Sequence, residues 1–183
     1  MSRKLKLSSR QAFSNACEKG INIQIQNELM ASYTYLALAN FFARDVVALH
    51  GISRFFYAQS EEESKHGRKL MKYLLNRGGC VVLYDIKAST ISDSLTLLDA
   101  LKHAYELEKT NNAALLELHE VASKSNDSDL TSFLEEHYLK EQIDEINLFA
   151  KLYNRLLTFG DGIGVYFVEK EMIKLCPKEK NSS

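Results

Sequence analysis

The stretch Gln59–Leu70, Q-S-E-E-E-S-K-H-G-R-K-L, decides how the rest of this chain is read. It sets Glu63 and His66 three residues apart, so on a helix they share a face with Cβ atoms about 5–6 Å from each other. The neighbours say which face that is. Ile52, Phe56, Gln59, Glu63, His66, Leu70 and Leu74 follow steps of three and four, a single helical stripe that is apolar at both ends and ionisable in the middle. A carboxylate and an imidazole are therefore directed into a core, where an unpaired charge is costly. Something has to compensate them.

The same pattern recurs outward from this stretch. A first helix is expected over about 10–42, with Ser8 and Gln11 as a capping box and Ile21, Ile25, Glu28, Ser32, Tyr35 and Ala39 as its stripe. The helix of the opening stretch spans about 50–77 and is ended by Gly78-Gly79 in a left-handed cap. The short link around Arg44–Ala48 makes these two helices antiparallel neighbours. Residues 78–94 lack a helical period and carry the apolar run V-V-L-Y-D-I. Such a segment can cross the length of a bundle, which would set the second and third helices parallel. The third helix is expected over about 95–124, opened by Thr96 with Asp99, with Leu98, Leu101, Tyr105, Glu108, Asn112, Leu115, His119 and Ala122 on its stripe. The fourth spans about 129–159 with Leu134, Tyr138, Gln142, Glu145, Phe149, Leu152 and Leu156. Gly160-Asp161-Gly162 breaks it before a short apolar helix over about 163–174. The expected class is all-α: a four-helix bundle with one long crossover and a short fifth helix, a single domain over 1–183.

Composition narrows the function. One proline, Pro177, and eight glycines leave the helices few interruptions. A net charge of −1 gives no electrostatic reason to bind nucleic acid. Cys17, Cys80 and Cys176 are odd in number and far apart, which suits a reducing compartment better than a disulfide framework. The start, M-S-R-K-L-K-L-S-S-R, is basic without an apolar run, unlike a secretory leader, and no stretch approaches the roughly eighteen apolar residues of a membrane span. A cytoplasmic location and no membrane partner are expected.

The chemistry lies in the recurrence. A helical Glu-x-x-His pair taken alone is more often solvated than not. Here four helices each carry polar or ionisable groups mid-stripe: Glu28; Glu63 and His66; Glu108; Gln142 and Glu145. Carboxylates gathered in a dry core cannot all ionise unless a cation joins them. Oxygen ligands with one imidazole suit iron, manganese or zinc, and this many ligands suits two metal ions. Glu61 and Glu62 fall off the stripe. Tyr35 shares Glu28's face, where its hydroxyl can bond a carboxylate. Gln142 reads equally as a core amide, a weak ligand or a group that orients bound water.

At this point the chain resembles the ferritins over nearly its full length. The phrases that carry the resemblance are N-E-L-M-A-S-Y-T-Y-L (27–36), Q-S-E-E-E-S-K-H (59–66), K-L-M-K (69–72), R-G-G (77–79), D-I-K (85–87), L-E-K (107–109), L-L-E-L-H (115–119) and H-Y-L-K-E-Q (137–142). The resemblance implies a 24-subunit shell that stores ferric mineral, built from one chain or mixed with another ferritin subunit. The chain is similar to the heavy-type, ferroxidase-active subunit. Glu28, Glu63 and His66 match the first iron position, Glu108 the second with Glu63 bridging, and Gln142 and Tyr35 the assisting or weakly ligating positions. Glu62 and Glu145 are further candidate ligands. The implied substrates are Fe(II) and dioxygen, the implied cofactor is di-iron, and no haem is expected. His119 and Glu135 match the three-fold channel.

The chain also departs from that pattern. Lys65 and Arg68 stand where heavy-type chains carry cavity-facing glutamates, Ser132 stands at a channel aspartate, and Phe167 and Glu171 fall at the four-fold axis. A second Glu-x-x-His is absent. Two alternatives stay open: a mainly structural storage subunit with weak ferroxidase activity, and a non-assembling di-iron oxidase.

Overall fold

A computed structural model describes residues 8–177, so most of the basic start weighed above as a targeting leader lies outside the described residues. All regular structure among the described residues is helical. α1 spans Asn15–Ala43, α2 His50–Asn76 and α3 Leu97–Lys124. The fourth rod joins α4 (Ser128–Leu134), one π-helical turn (Glu135–Leu139) and α5 (Lys140–Phe159); α6 is the short Ile163–Leu175. No helix among these is long and apolar enough to cross a membrane.

Local chemistry sets the boundaries. The start of α1 corrects the sequence reading: the helix begins at Asn15 rather than near residue 10, and Ser14 rather than Ser8 caps it. The Ser14 hydroxyl accepts from the Cys17 N–H at 3.0 Å. Ser8 instead accepts from the Arg10 N–H at 3.2 Å, and Ala12, at φ +47°, turns the chain between them. For α3, Thr96 and Asp99 form both halves of a capping box, at 3.1 and 3.2 Å. α2 closes in a Schellman motif: Gly79 N–H donates to Leu74 C=O and Gly78 N–H to Leu75 C=O, each at 3.0 Å, with Gly78 at φ +74°. The π-turn was not foreseen. Leu134, Tyr138 and Gln142 are two successive four-residue steps, which on a regular α-helix would swing the stripe by about 80°. The wider turn takes up that drift, and all three side chains stay buried.

Side-chain pairs fix the topology. Ser14 meets Ser125, Gln24 meets Asn111 and Tyr35 meets Glu108, so α1 and α3 run antiparallel. Glu108 with Gln142 and His119 with Glu135 set α3 antiparallel to the fourth rod. The segment between α2 and α3 forms no helix and lies along α1. Asn22 bonds the backbone of Cys80 and Val82 at 3.0 and 2.7 Å, Gln26 reaches Asp85 C=O at 2.9 Å, and Arg44 pairs with Asp93 at 2.6 Å. The strap thus travels from the start of α1 to its end, which leaves α2 and α3 parallel. Arg77 ties the foot of α2 to the α3–α4 turn through Asp127 at 2.9 Å.

Two apolar clusters form the interior. One gathers Ile21, Ile25, Leu70, Leu74, Leu115 and Leu134; the other Leu38, Phe42, Phe56, Leu101, Phe149 and Leu156. On every long helix the ionisable residues fall between the members of these clusters, so the polar groups form one layer sealed at both ends.

The strained cap gives a first prediction. A Cβ on Gly78 would lie 2.6 Å from Arg10 N, in a left-handed conformation that costs other residues about 1–2 kcal/mol. Gly78→Ala should lower the thermal midpoint by at least about 2 °C; an unchanged midpoint would show that the cap does not hold the end of α2.

Candidate metal centre

Each long helix delivers its share to the sealed layer. α1 brings Glu28 and Tyr35, α2 Glu63 and His66, α3 Glu108, and α5 Gln142 with Glu145, all buried. One oxygen each of Glu28 and Glu63 and one ring nitrogen of His66 lie within 4.8 Å of one another. One oxygen each of Glu63, Glu108 and Glu145 does the same. Glu63 belongs to both groups and stands between them.

The carboxylates differ in how they are held. Glu28 accepts from Gln24 at 2.7 Å and from Asn111 at 3.0 Å. Glu108 accepts from the Tyr35 hydroxyl and from Gln142 Nε2. Gln142 therefore turns its nitrogen toward Glu108, and the same nitrogen lies 3.2 Å from the Glu108 backbone carbonyl. Tyr35 is fixed from both sides by Phe56 and Phe149, with ring centroids 6.0 and 5.9 Å away. Glu63 is different. It is fully buried, and neither of its oxygens has a hydrogen-bond partner. Glu145 Oε2 is likewise buried and unpartnered.

His66 is fixed on three sides. Nδ1 lies 3.6 Å from Glu63, Nε2 lies 3.4 Å from Glu141, and the ring packs at 5.5 Å on Tyr138. The Tyr138 hydroxyl donates to the His66 carbonyl at 2.9 Å. One nitrogen can thus face a cation while a carboxylate orients the ring from the other side. Glu62, His66 and Glu141 form a third group toward solvent with the same 4.8 Å spacing.

Burial and mutual repulsion raise the carboxyl groups. Glu63 is pushed well above the usual carboxylate range by burial first, then by the charges of Glu28 and Glu108. Glu145 is pushed up to about 9 by burial, with Glu108, Glu62 and Glu141 adding. Glu108 is also raised by burial, against which the Tyr35 and Gln142 hydrogen bonds work. Burial and the Glu108 charge hold the Tyr35 hydroxyl protonated well above the ordinary phenol range. A cation among these groups relieves both burial and repulsion, and carboxylate oxygens with one imidazole can hold iron, manganese or zinc.

Three residues of this neighbourhood escaped the sequence reading. Gln24 lies one turn before Glu28 and Asn111 one turn after Glu108, so helical spacing alone placed them on the inner faces. Asn112, read as facing inward, is only half-buried, and Asn111 takes that place. Glu141 was overlooked beside Gln142. Elsewhere, His119 and Glu135 come together at 2.7 Å, with Ser132 exposed close by in sequence on α4. Lys65 and Arg68 are exposed on α2, Phe167 is exposed on α6, and Glu171 pairs with Arg155. Cys80 is exposed in the strap, its N–H bonded to Glu18 at 2.8 Å.

Comparison with known proteins identifies the family. The ferritin-like domain family matches residues 18–158. Soma ferritin of Lymnaea stagnalis is 42% identical over 165 residues, covering 90% of this chain and 95% of the relative. A ferritin heavy chain of Echinococcus granulosus is 43% identical over 165 residues, with the same two coverages. A ferritin middle subunit of Aquarana catesbeiana is 42% identical over 168 residues, covering 90% and 96%. With a family match across most of its length and relatives this similar from end to end, the chain belongs to the ferritin family.

Proposed function

We propose that this chain is an iron-storage subunit with ferroxidase activity, oxidising Fe(II) with dioxygen at a two-metal centre inside the bundle. The observation that carries the reading is Glu63: a buried carboxylate with no partner for either oxygen, shared by two ligand groups. Glu28, Glu63 and His66 would hold one Fe(II). Glu63, Glu108 and Glu145 would hold the other, with Gln142 and Tyr35 orienting Glu108. The anionic oxygens favour Fe(III) over Fe(II), which lowers the barrier to electron loss. The sealed apolar clusters keep bulk water from the pair. Each Fe(II) gives one electron, dioxygen takes up the two with two protons and leaves as hydrogen peroxide, and the ferric product leaves.

The destination we propose is the interior of a 24-subunit cytoplasmic shell. Its support is the apolar surface the single chain leaves uncovered. Ile163, Tyr166 and Phe167 on α6, and Val82, Leu83 and Tyr84 on the strap, are each more than two-fifths exposed. The similarity to the Echinococcus granulosus relative named a heavy chain supports the catalytic assignment. His119 with Glu135 is the proposed entry path for Fe(II).

The catalytic reading is tested by loading the protein anaerobically with Fe(II), mixing it with oxygen and following absorbance. The wild type should oxidise quickly, and Glu63→Ala/His66→Ala should lose the fast phase. Equal, slow oxidation in both would leave a storage shell without a catalytic centre.

The raised carboxyl groups give a second test. Glu145 titrates near 4.5 when unfolded and near 9 when folded. Its folded form therefore binds the extra proton, and the stability this adds below about pH 4.5 is lost as pH rises toward about 9. The slope is at most about 1.4 kcal/mol per pH unit for each such carboxyl. Metal-stripped protein should melt lower at pH 8.5 than at pH 6, and Glu145→Gln should flatten that dependence. A pH-independent midpoint over this window in the wild type would contradict it.

A further inference from the structure

Gln24 and Asn111 belong to neither proposed ligand group, yet they grip one ligand by both of its oxygens. Gln24 is 1% and Asn111 5% exposed. Gln24 Nε2 lies 2.7 Å from Glu28 Oε1 and 2.6 Å from Asn111 Oδ1. Asn111 Nδ2 lies 3.0 Å from Glu28 Oε2. Both amide nitrogens face Glu28, whose oxygens accept. The second N–H of Gln24 then goes to Asn111 Oδ1, while Gln24 Oε1 accepts from Asn27 at 3.2 Å. Two helices thus close a ring of three hydrogen bonds around a single carboxylate.

The contrast with the other ligands gives the ring its meaning. Glu63 has no partner on either oxygen, and Glu145 has none on Oε2. Those oxygens carry no amide or hydroxyl donor that fixes them before a cation arrives. Glu28 is already committed to one rotamer, with one lone pair on each oxygen still able to bind a metal.

We infer that Gln24 and Asn111 are positioning residues for the metal position formed by Glu28, Glu63 and His66, and that their hold makes this position fill before the one formed by Glu63, Glu108 and Glu145. The inference rests on the two-metal centre proposed above. A ligand held by two amides before binding loses little rotamer freedom when the cation arrives, whereas Glu145 Oε2 has no such hold.

The test uses the full protein, stripped of metal and kept anaerobic, with Co(II) as the probe. Calorimetry reads the affinity of each equivalent, and the visible absorption of bound Co(II) reads its coordination. Wild type should take up two Co(II) per chain in two resolved steps. Gln24→Met and Asn111→Leu keep size and remove the donors. Each should weaken the first equivalent by tenfold or more and alter its spectrum, with the second equivalent unchanged. On a Glu28→Gln background neither should have any further effect. Thermal melts select variants that fold as wild type does, and either variant alone suffices.

Wild-type affinity for the first equivalent in both variants would overturn the inference. So would equal weakening of both equivalents, or an effect that persists without the Glu28 carboxylate. Failure of the underlying centre has a separate signature: wild-type uptake of Co(II) that Glu63→Gln leaves untouched. That result would overturn the two-metal reading and the positioning role together.

Discussion

Carboxyl groups packed against one another out of reach of water are the constraint on which this molecule turns. Glu28, Glu63, Glu108 and Glu145 come from four rods and meet in one layer, with apolar clusters above and below. Among the described residues, no lysine or arginine pairs with any of the four. Burial and mutual repulsion therefore favour the protonated forms of Glu63, Glu108 and Glu145. An interior of this kind is poor as a core and well suited to a cation.

Around that constraint the fold divides its work. The strap along α1 makes α2 and α3 parallel, which lets all four rods point their ionisable residues at the same level. The π-turn in the fourth rod keeps Tyr138, Gln142 and Glu145 on the inner face despite two consecutive four-residue steps. Amides tie Glu28, and a phenol with an amide ties Glu108, while both oxygens of Glu63 and Oε2 of Glu145 have no hydrogen-bond partner. Fixed ligands at the flanks with a free carboxylate between them suit a site that must bind two ions and then let a product go.

The outer surface follows different rules. Its exposed tyrosines, phenylalanines and aliphatics on α6 and the strap form patches that a partner subunit would bury. Lys65 and Arg68 stand exposed on α2, about one and two turns beyond Glu62. In the proposed shell they would set positive charge where the resemblance to heavy-type ferritins leads one to expect glutamates.

Much of this was written in the chain order. Helical periodicity placed Glu28, Glu63, His66, Glu108, Gln142 and Glu145 on inner faces because a 3.6-residue repeat leaves little choice of side once the apolar neighbours are known. The Thr96–Asp99 box and the Gly78-Gly79 stop were legible for the same local reason. What the sequence could not determine is what depends on contacts between distant residues. Ser14 outcompeted Ser8 as a cap because the chain turns at Ala12, ahead of the helix. Asn111 faces inward in place of Asn112 because the rotation of α3 is set by packing against α1, and a stripe read alone is uncertain by one residue. Which carboxylate would be held and which left free was decided only when Gln24 on α1 met Asn111 on α3, eighty-seven residues later in the chain.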